Sequence, residues 1–405
     1  MTLQYKYQVN NISIEKFLRI FSFMTLAVFA FSQENASGLF SSFFLILQEY
    51  QVKYIFMILS LFLNAIYCIL FKRKMGLRKE NFQIVRNVLL AYFAIFLVTI
   101  CKQLANGFEI TSYLLLSYSF LPLIYFFFCS LIDDKFIQKI LDNLIWVYLI
   151  SFLFANFGKI SISNILSISF LNSYSPFESG IGNYLILLEF YYLFTNQKGK
   201  ALVSQLIILL SFKRIEVVFS LFVFLFWPLL RKIKKISNVA FFVSILFFAL
   251  SPLFLNYFYS TQTQALLYEK YSIDFNLLSL DRYDRVIFVK ENLGLYDFGF
   301  GTVDKILENY RLVSITGRNL HCDLLMIFYD TGFVSVILFV YFMFQTSKRN
   351  AISYIIILFM FFDMIFNHPL GAGNVDLWVL VFFVVYYCNT HCVLQDFKKR
   401  SVFLL

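Results

Sequence analysis

Three sets of side chains stand apart from an otherwise apolar sequence. Lys213 and Arg214 interrupt a long hydrophobic run, and Arg282 and Arg285 lie three residues apart in a polar segment. His321, followed by Cys322 and Asp323, comes just before another apolar run. Guanidinium groups bind phosphate oxygens two at a time. Histidine is the side chain whose ordinary titration range suits it to give or take a hydroxyl proton. These are tools for gripping a phosphate and moving a proton. The chain carries no D-x-D pair, no G-x-S-x-G elbow, no Walker sequence and no H-E-x-x-H. Metal-dependent nucleotide-sugar transfer, serine hydrolysis and ATP hydrolysis therefore have no support, and neither metal nor cofactor is expected. Cys388, His391 and Cys392 are too loosely spaced for a metal centre and read as an ordinary helix end.

The setting of Lys213 and Arg214 gives them weight. Residues 201–230 are apolar except for Ser211-Phe212-Lys213-Arg214 and Glu216. One straight helix of that length would run about 45 Å, against a hydrocarbon core of about 30 Å. Both flanks, around Lys200 and Lys232, are basic and belong on the cytoplasmic side. The run must cross twice or enter and return, so its turn lies below the outer surface. Cations at that depth are costly and mark a functional site; the bland alternative is snorkelling, or pairing of Arg214 with Glu216.

Composition says what must position these groups. Of 405 residues 60% are hydrophobic and only 14% charged, with a mean hydropathy of +0.74. A soluble domain needs polar cover all along its length, whereas here the charges fall in short clusters between apolar runs. The expected fold is an all-α polytopic membrane protein of about 12 transmembrane helices. Candidate spans are 17–32, 54–71, 84–100, 112–132, 141–158, 181–196, 201–212, 215–230, 236–257, 326–344, 352–366 and 375–390. The first, with Ala30-Phe31-Ser32 resembling a cleavage site, is read as a retained anchor.

The net charge of +10 is a matter of placement rather than of nucleic acid. Alternate short loops hold Lys72, Arg73, Lys74, Arg78 and Lys79, then Lys135 and Lys139, then Lys198 and Lys200. The series continues through Arg231, Lys232, Lys234 and Lys235, Lys348 and Arg349, and Lys398 to Arg400. The opposite loops hold little beyond Lys53, Lys102 and Lys159. By the positive-inside rule both termini are cytoplasmic.

The expected organisation is transmembrane helices over 1–258, a large outer loop over 259–323, and transmembrane helices with a cytoplasmic tail over 324–405. The loop is too patterned for a tether. Residues 281–290 read as a short helix with Arg282 and Arg285 on one face; pairing of Asp281 with Arg285 is its local alternative. Phe298-Gly299-Phe300-Gly301-Thr302 is a turn signal but no phosphate cradle. Residues 303–311 read as a second short helix. Arg318 then leads to His321, and Asp330-Thr331-Gly332 follows inside the next apolar run.

In this order and spacing the pieces resemble the bacterial O-antigen polymerase and O-antigen ligase superfamily. Ser211-Phe212-Lys213-Arg214 looks like its S-x-x-R turn. Arg282 with Phe298-Gly299-Phe300-Gly301 looks like its arginine and Gly-x-Gly block. His321-Cys322-Asp323-Leu324-Leu325 with Asp330-Thr331-Gly332 looks like its histidine block, and Gly180-Ile181-Gly182-Asn183 is similar to its Gly/Asn helix start. Two features depart from the pattern. A Trp commonly found after the loop arginine is replaced by aliphatic residues near Val286, and Cys322 stands where Asn usually follows the histidine.

The resemblance implies a GT-C-like, metal-independent glycosyltransferase of the bacterial inner membrane, working at the periplasmic face in lipopolysaccharide biosynthesis. It would move an undecaprenyl-diphosphate-linked glycan onto a second lipid-linked repeat unit; a chain-length regulator is a possible partner. The resemblance gives His321, Arg214 and Arg282 catalytic roles. Lys213, Arg285, Arg318, Asp330 and Asn183 would bind the substrate or its diphosphate. His321 would serve as general base or as a donor to the diphosphate, with Asp330 the second candidate base. Alternatives are a ligase acting on lipid A-core and, in a different class, a lipid-linked oligosaccharide flippase, for which the internal repeats expected of a transporter are lacking.

Overall fold

The computed structural model describes residues 2–33, 46, 50–71, 79–106, 110–169, 175–233, 236–272, 279, 282–294, 297–311, 320–370 and 374–402. Among them the secondary structure is helical, without a strand. In chain order the helices are α1 (Thr2–Ser32), α2 (Tyr50–Phe71), α3 (Lys79–Asn106), α4 (Ile110–Ile132), α5 (Asp134–Ala155) and α6 (Ile162–Leu166). There follow α7 (Gly182–Phe194), α8 (Lys198–Ser211), α9 (Arg214–Leu230), α10 (Asn238–Phe258) and α11 (Thr261–Tyr271). The last are α12 (Arg282–Asn292), α13 (Thr302–Arg311), α14 (Asp323–Thr331), α15 (Phe333–Gln345), α16 (Ala351–Phe366) and α17 (Val375–Val402).

Among the described residues four stretches are long and apolar enough to cross a membrane by length and composition: Val52–Phe71, Lys79–Ala105, Lys135–Ala155 and Asn238–Phe258. Shorter apolar helices accompany them at Ser119–Ile132, Phe333–Gln345, Ala351–Phe366 and Val375–His391. Large apolar side chains such as Leu225, 71% exposed, and Phe254, 69% exposed, project from the bundle. Water would not tolerate so many of them, and lipid does. This is the build of a helical membrane protein, in which every backbone polar group in the lipid must be satisfied within a helix.

Where helices start and stop follows local chemistry. Ser237 and Ser260 cap α10 and α11 by accepting from the N–H groups of Ala240 and Thr263. Asn350 caps α16, accepting from Ile352 and Ser353. The 326–344 stretch, read from sequence as one span, is broken into α14 and α15 at Gly332. Its φ of 84° and ψ of 172° lie in a region open essentially to glycine alone. Helices α6 and α11 had no separate signal in the apolar pattern.

Packing puts α7 in the middle. Every residue from Gly182 to Leu193 is buried, which a helix apolar around its whole circumference requires. It packs on α8, α9, α5, α16 and α17, while α3 lies along α15 and α1 along α2 and α5. Lys53 is buried beside the rings of Phe29 and Tyr54, 5.6 and 5.9 Å from their centroids. It faces Asp376, which accepts a 3.0 Å hydrogen bond from the Tyr184 hydroxyl. The outer-loop Lys53 of the sequence is thus part of a buried link between α2, α7 and α17.

Candidate active site

The turn between α8 and α9 is strained. Phe212 ends α8 in the left-handed region, at φ 51° and ψ 49°, a position glycine normally fills. A bulky residue there costs on the order of 1–3 kcal/mol. The strain reverses the chain within two residues and sets Lys213, half-buried, in extended backbone immediately before α9. Gly182 brings the start of α7 against this turn, where a Cβ on it would be in ordinary contact with Glu216 Cγ at 3.4 Å and Ser211 Oγ at 3.5 Å.

A second left-handed residue faces the same region: His321, at φ 53°, two residues before the start of α14. It is half-buried. Burial first, and then the charges of Arg285, His368, Arg282 and Lys213, pull its pKa down to about 4. Four cations from three separate segments (213, 282–285 and 368) therefore converge on one imidazole and keep it neutral at pH 7. That is the state in which it can accept a proton.

Helix α12 brings its two arginines in from the side. Arg285 is buried and Arg282 half-buried, on one face as their spacing requires. Arg282 also bonds the Tyr259 hydroxyl at the end of α10. Lys290, two turns further along α12, donates to the carbonyl oxygens of Asn256 and Tyr259 at 2.5 Å each. Terminal carbonyls of α10 are thereby satisfied, and a cation sits at its negative end. Loop helix and bundle helix are locked together.

The Gly-x-Gly turn is the other brace. Phe300 N–H donates to Thr99 Oγ1 at 3.1 Å, and Lys102 Nζ donates to Thr302 Oγ1 at 2.5 Å, so α3 holds the turn from one side. From α14, Asp330 holds it from the other. Its carboxylate accepts from Gly301 N and Val303 N, both at 2.9 Å, and its carbonyl accepts from Gly299 N. Asp330 is fully buried. Each carboxylate oxygen accepts one backbone N–H, so Asp330 caps the start of α13.

The structure brings His321, Arg282, Arg285 and Lys213 together. Asn183, at the start of α7, bonds Asp363 Oδ2 at 3.1 Å, and Asp363 also accepts from Asn367. Asn183 thus ties α7 to the end of α16 through Nδ2, while its Oδ1 is buried with no hydrogen-bond partner among the described residues. Arg214 is exposed on the first residue of α9, and of the two adjacent cations it is Lys213 whose charge weighs on His321. Lys213 is half-buried in extended backbone, whereas Arg214, on the first helical residue, is exposed. Arg318 and Asp281 lie outside the described residues.

Sequence reasoning passed over His368. It lies in the link between α16 and α17 and bonds the buried Asp323 carboxylate through Nδ1. Asp323 Oδ2 accepts from Leu370 N at 2.7 Å. Burial disfavours the charged ring, but the Asp323 carboxylate, with Asp304 beyond it, raises the His368 pKa to about 9. Asp304, on α13, is itself raised by burial. The available signal was Asn367-His368-Pro369 between two apolar runs.

Among the described residues no group of three or more His, Cys, Asp and Glu is arranged to hold a metal ion. Comparison with protein-family models, with curated proteins and with solved structures gives no match.

Proposed function

We propose that the chain is a metal-independent membrane glycosyltransferase using a polyprenyl-diphosphate-linked sugar donor. Within that class it is best read as an O-antigen-type repeat-unit polymerase. The reading takes about 12 crossings, a GT-C-like arrangement and a site on the periplasmic side of the bacterial inner membrane, with both termini cytoplasmic. One observation carries it: a half-buried histidine, held neutral by burial and within electrostatic reach of Arg285, His368, Arg282 and Lys213. Breaking an anomeric carbon–phosphate bond develops charge on the diphosphate, which such cations stabilise. A neutral imidazole beside them can take the acceptor hydroxyl proton. Arg214, at the same turn, would meet the diphosphate as it arrives from the lipid.

The lipid part of the donor has a fitting surface. A groove of about 300 Å³ is lined by Leu149, Phe152, Ile165, Phe177, Ile207 and Leu210. Its lining is apolar and ends three residues before Lys213, so a polyprenyl chain lying in it would carry its diphosphate to the cations.

The test is genetic. Cells lacking the chain, or carrying His321→Ala, are expected to display core glycolipid bearing a single repeat unit on a gel. Core with no repeat unit at all would point instead to a ligase or a flippase. A normal ladder with His321→Ala would remove the proposed site.

A further inference from the structure

The geometry points to His368, held by Asp323, as a second catalytic histidine that donates from Nε2 to the diphosphate leaving the anomeric carbon. This deepens the reading above and rests on it. Three observations lead there. Nδ1 of His368 is committed to Asp323 Oδ1, so Nε2 is the nitrogen left to meet a ligand. The second Asp323 oxygen is held by Leu370 N at 2.7 Å, so the carboxylate does not turn and the ring keeps its orientation, as a base is oriented by a third group in nucleophilic sites. Asp323 is wholly buried while 13% of the His368 side chain stays open, and the charge of His368 reaches His321.

The charges facing His368 come from each neighbouring element. They are Asp323 on α14, Asp304 on α13 and His321 just before α14. Carboxylates outnumber cations next to His368, whereas cations outnumber carboxylates next to His321. Titratable pairs driven apart in this way divide acid from base work.

The step balances as follows. The acceptor hydroxyl gives its proton to the neutral His321 ring, and its oxygen bonds to the anomeric carbon. The bond from that carbon to the diphosphate oxygen breaks, with its electron pair left on the diphosphate. The diphosphate gains one negative charge, which the His368 N–H meets by hydrogen bonding without being consumed. His321 then releases its proton to water.

The experiment uses the full chain in lipid nanodiscs and undecaprenyl-diphosphate-linked oligosaccharide extracted from cells in which this chain is deleted. His368→Gln is expected to lower kcat by about a hundredfold while KM stays within about threefold. Wild-type kcat is expected to fall on the alkaline side near pH 9, and Asp323→Asn to move that limb to lower pH. Wild-type turnover by His368→Gln, or an alkaline limb unmoved by Asp323→Asn, overturns the assignment. Should the variants not fold, the wild-type profile decides: a flat alkaline side overturns it. If the wild-type chain makes no longer glycan from this extract, the polymerase reading fails first and the role of His368 falls with it.

Discussion

The stem of Lys102 lies across Gly299 so closely that a Cβ on the glycine would stand 2.6 Å from Lys102 Cδ and 3.3 Å from its Cβ. Gly299 also has φ +108°, so the position excludes a side chain twice over. Gly299→Ala is expected to lower stability by about 1–3 kcal/mol, read from thermal unfolding in micelles. Gly158→Ala supplies the control, because Gly158 has φ +87° but nothing within 4 Å of its would-be Cβ. Equal losses in the two variants would mean that contact with Lys102 is not what closes the Gly299 position.

Asp330 and Val303 are the reciprocal joint on the opposite side of that turn. Asp330→Asn presents an N–H where two backbone N–H groups seek acceptors. A loss of about 1.5–3 kcal/mol is expected, the scale of a hydrogen bond to a charged group. Glycan synthesis should decline only with the amount of folded protein. A folded, fully stable and inactive Asp330→Asn would restore the direct substrate role.

Acid inactivation should report the cations around His321. Its pKa of about 4 means that kcat holds as pH falls through the usual histidine range and fails only near pH 4. Removing a neighbouring positive charge makes the imidazolium easier to form, so the acid limb moves up toward 6.5. Arg285→Met is expected to move it further than Lys213→Met, and Arg214→Met to leave it in place. A limb that follows Arg214 would return that residue to the front of the site.

Asn183 and Asp363 are 180 residues apart and joined by a 3.1 Å hydrogen bond. A double-mutant cycle of Asn183→Ala and Asp363→Asn, followed by thermal unfolding, should give a coupling of about 0.5–3 kcal/mol. Additive losses would show that the pair does not hold α7 to α16.

Much of the framework was legible. The cluster Ser211-Phe212-Lys213-Arg214 within an apolar run too long for one crossing marks the break between α8 and α9. The i, i+3 spacing of Arg282 and Arg285 marks a shared helical face. Helix ends were less legible, since α3 runs out to Lys79 and Asn106 through polar residues that hydropathy alone excludes. At each end a buried polar residue is held by another segment: Asn81 donates to Ser130 Oγ and Lys102 to Thr302 Oγ1.

By itself the sequence determined an apolar, helical chain for lipid, a turn bearing Lys213 and Arg214 within an apolar run, and a polar segment carrying two arginines and a histidine. These are properties of hydropathy, period and turn chemistry read along the chain; that His321 and the two arginines meet in space is not among them. Which of Lys213 and Arg214 faces inward, that Asp330 serves the backbone, and that His368 meets Asp323 across 45 residues were decided by the tertiary structure. The physical reason is that hydrogen-bond partners and charge neighbours are chosen by helix packing, which brings together segments whose separation along the chain leaves no periodic trace.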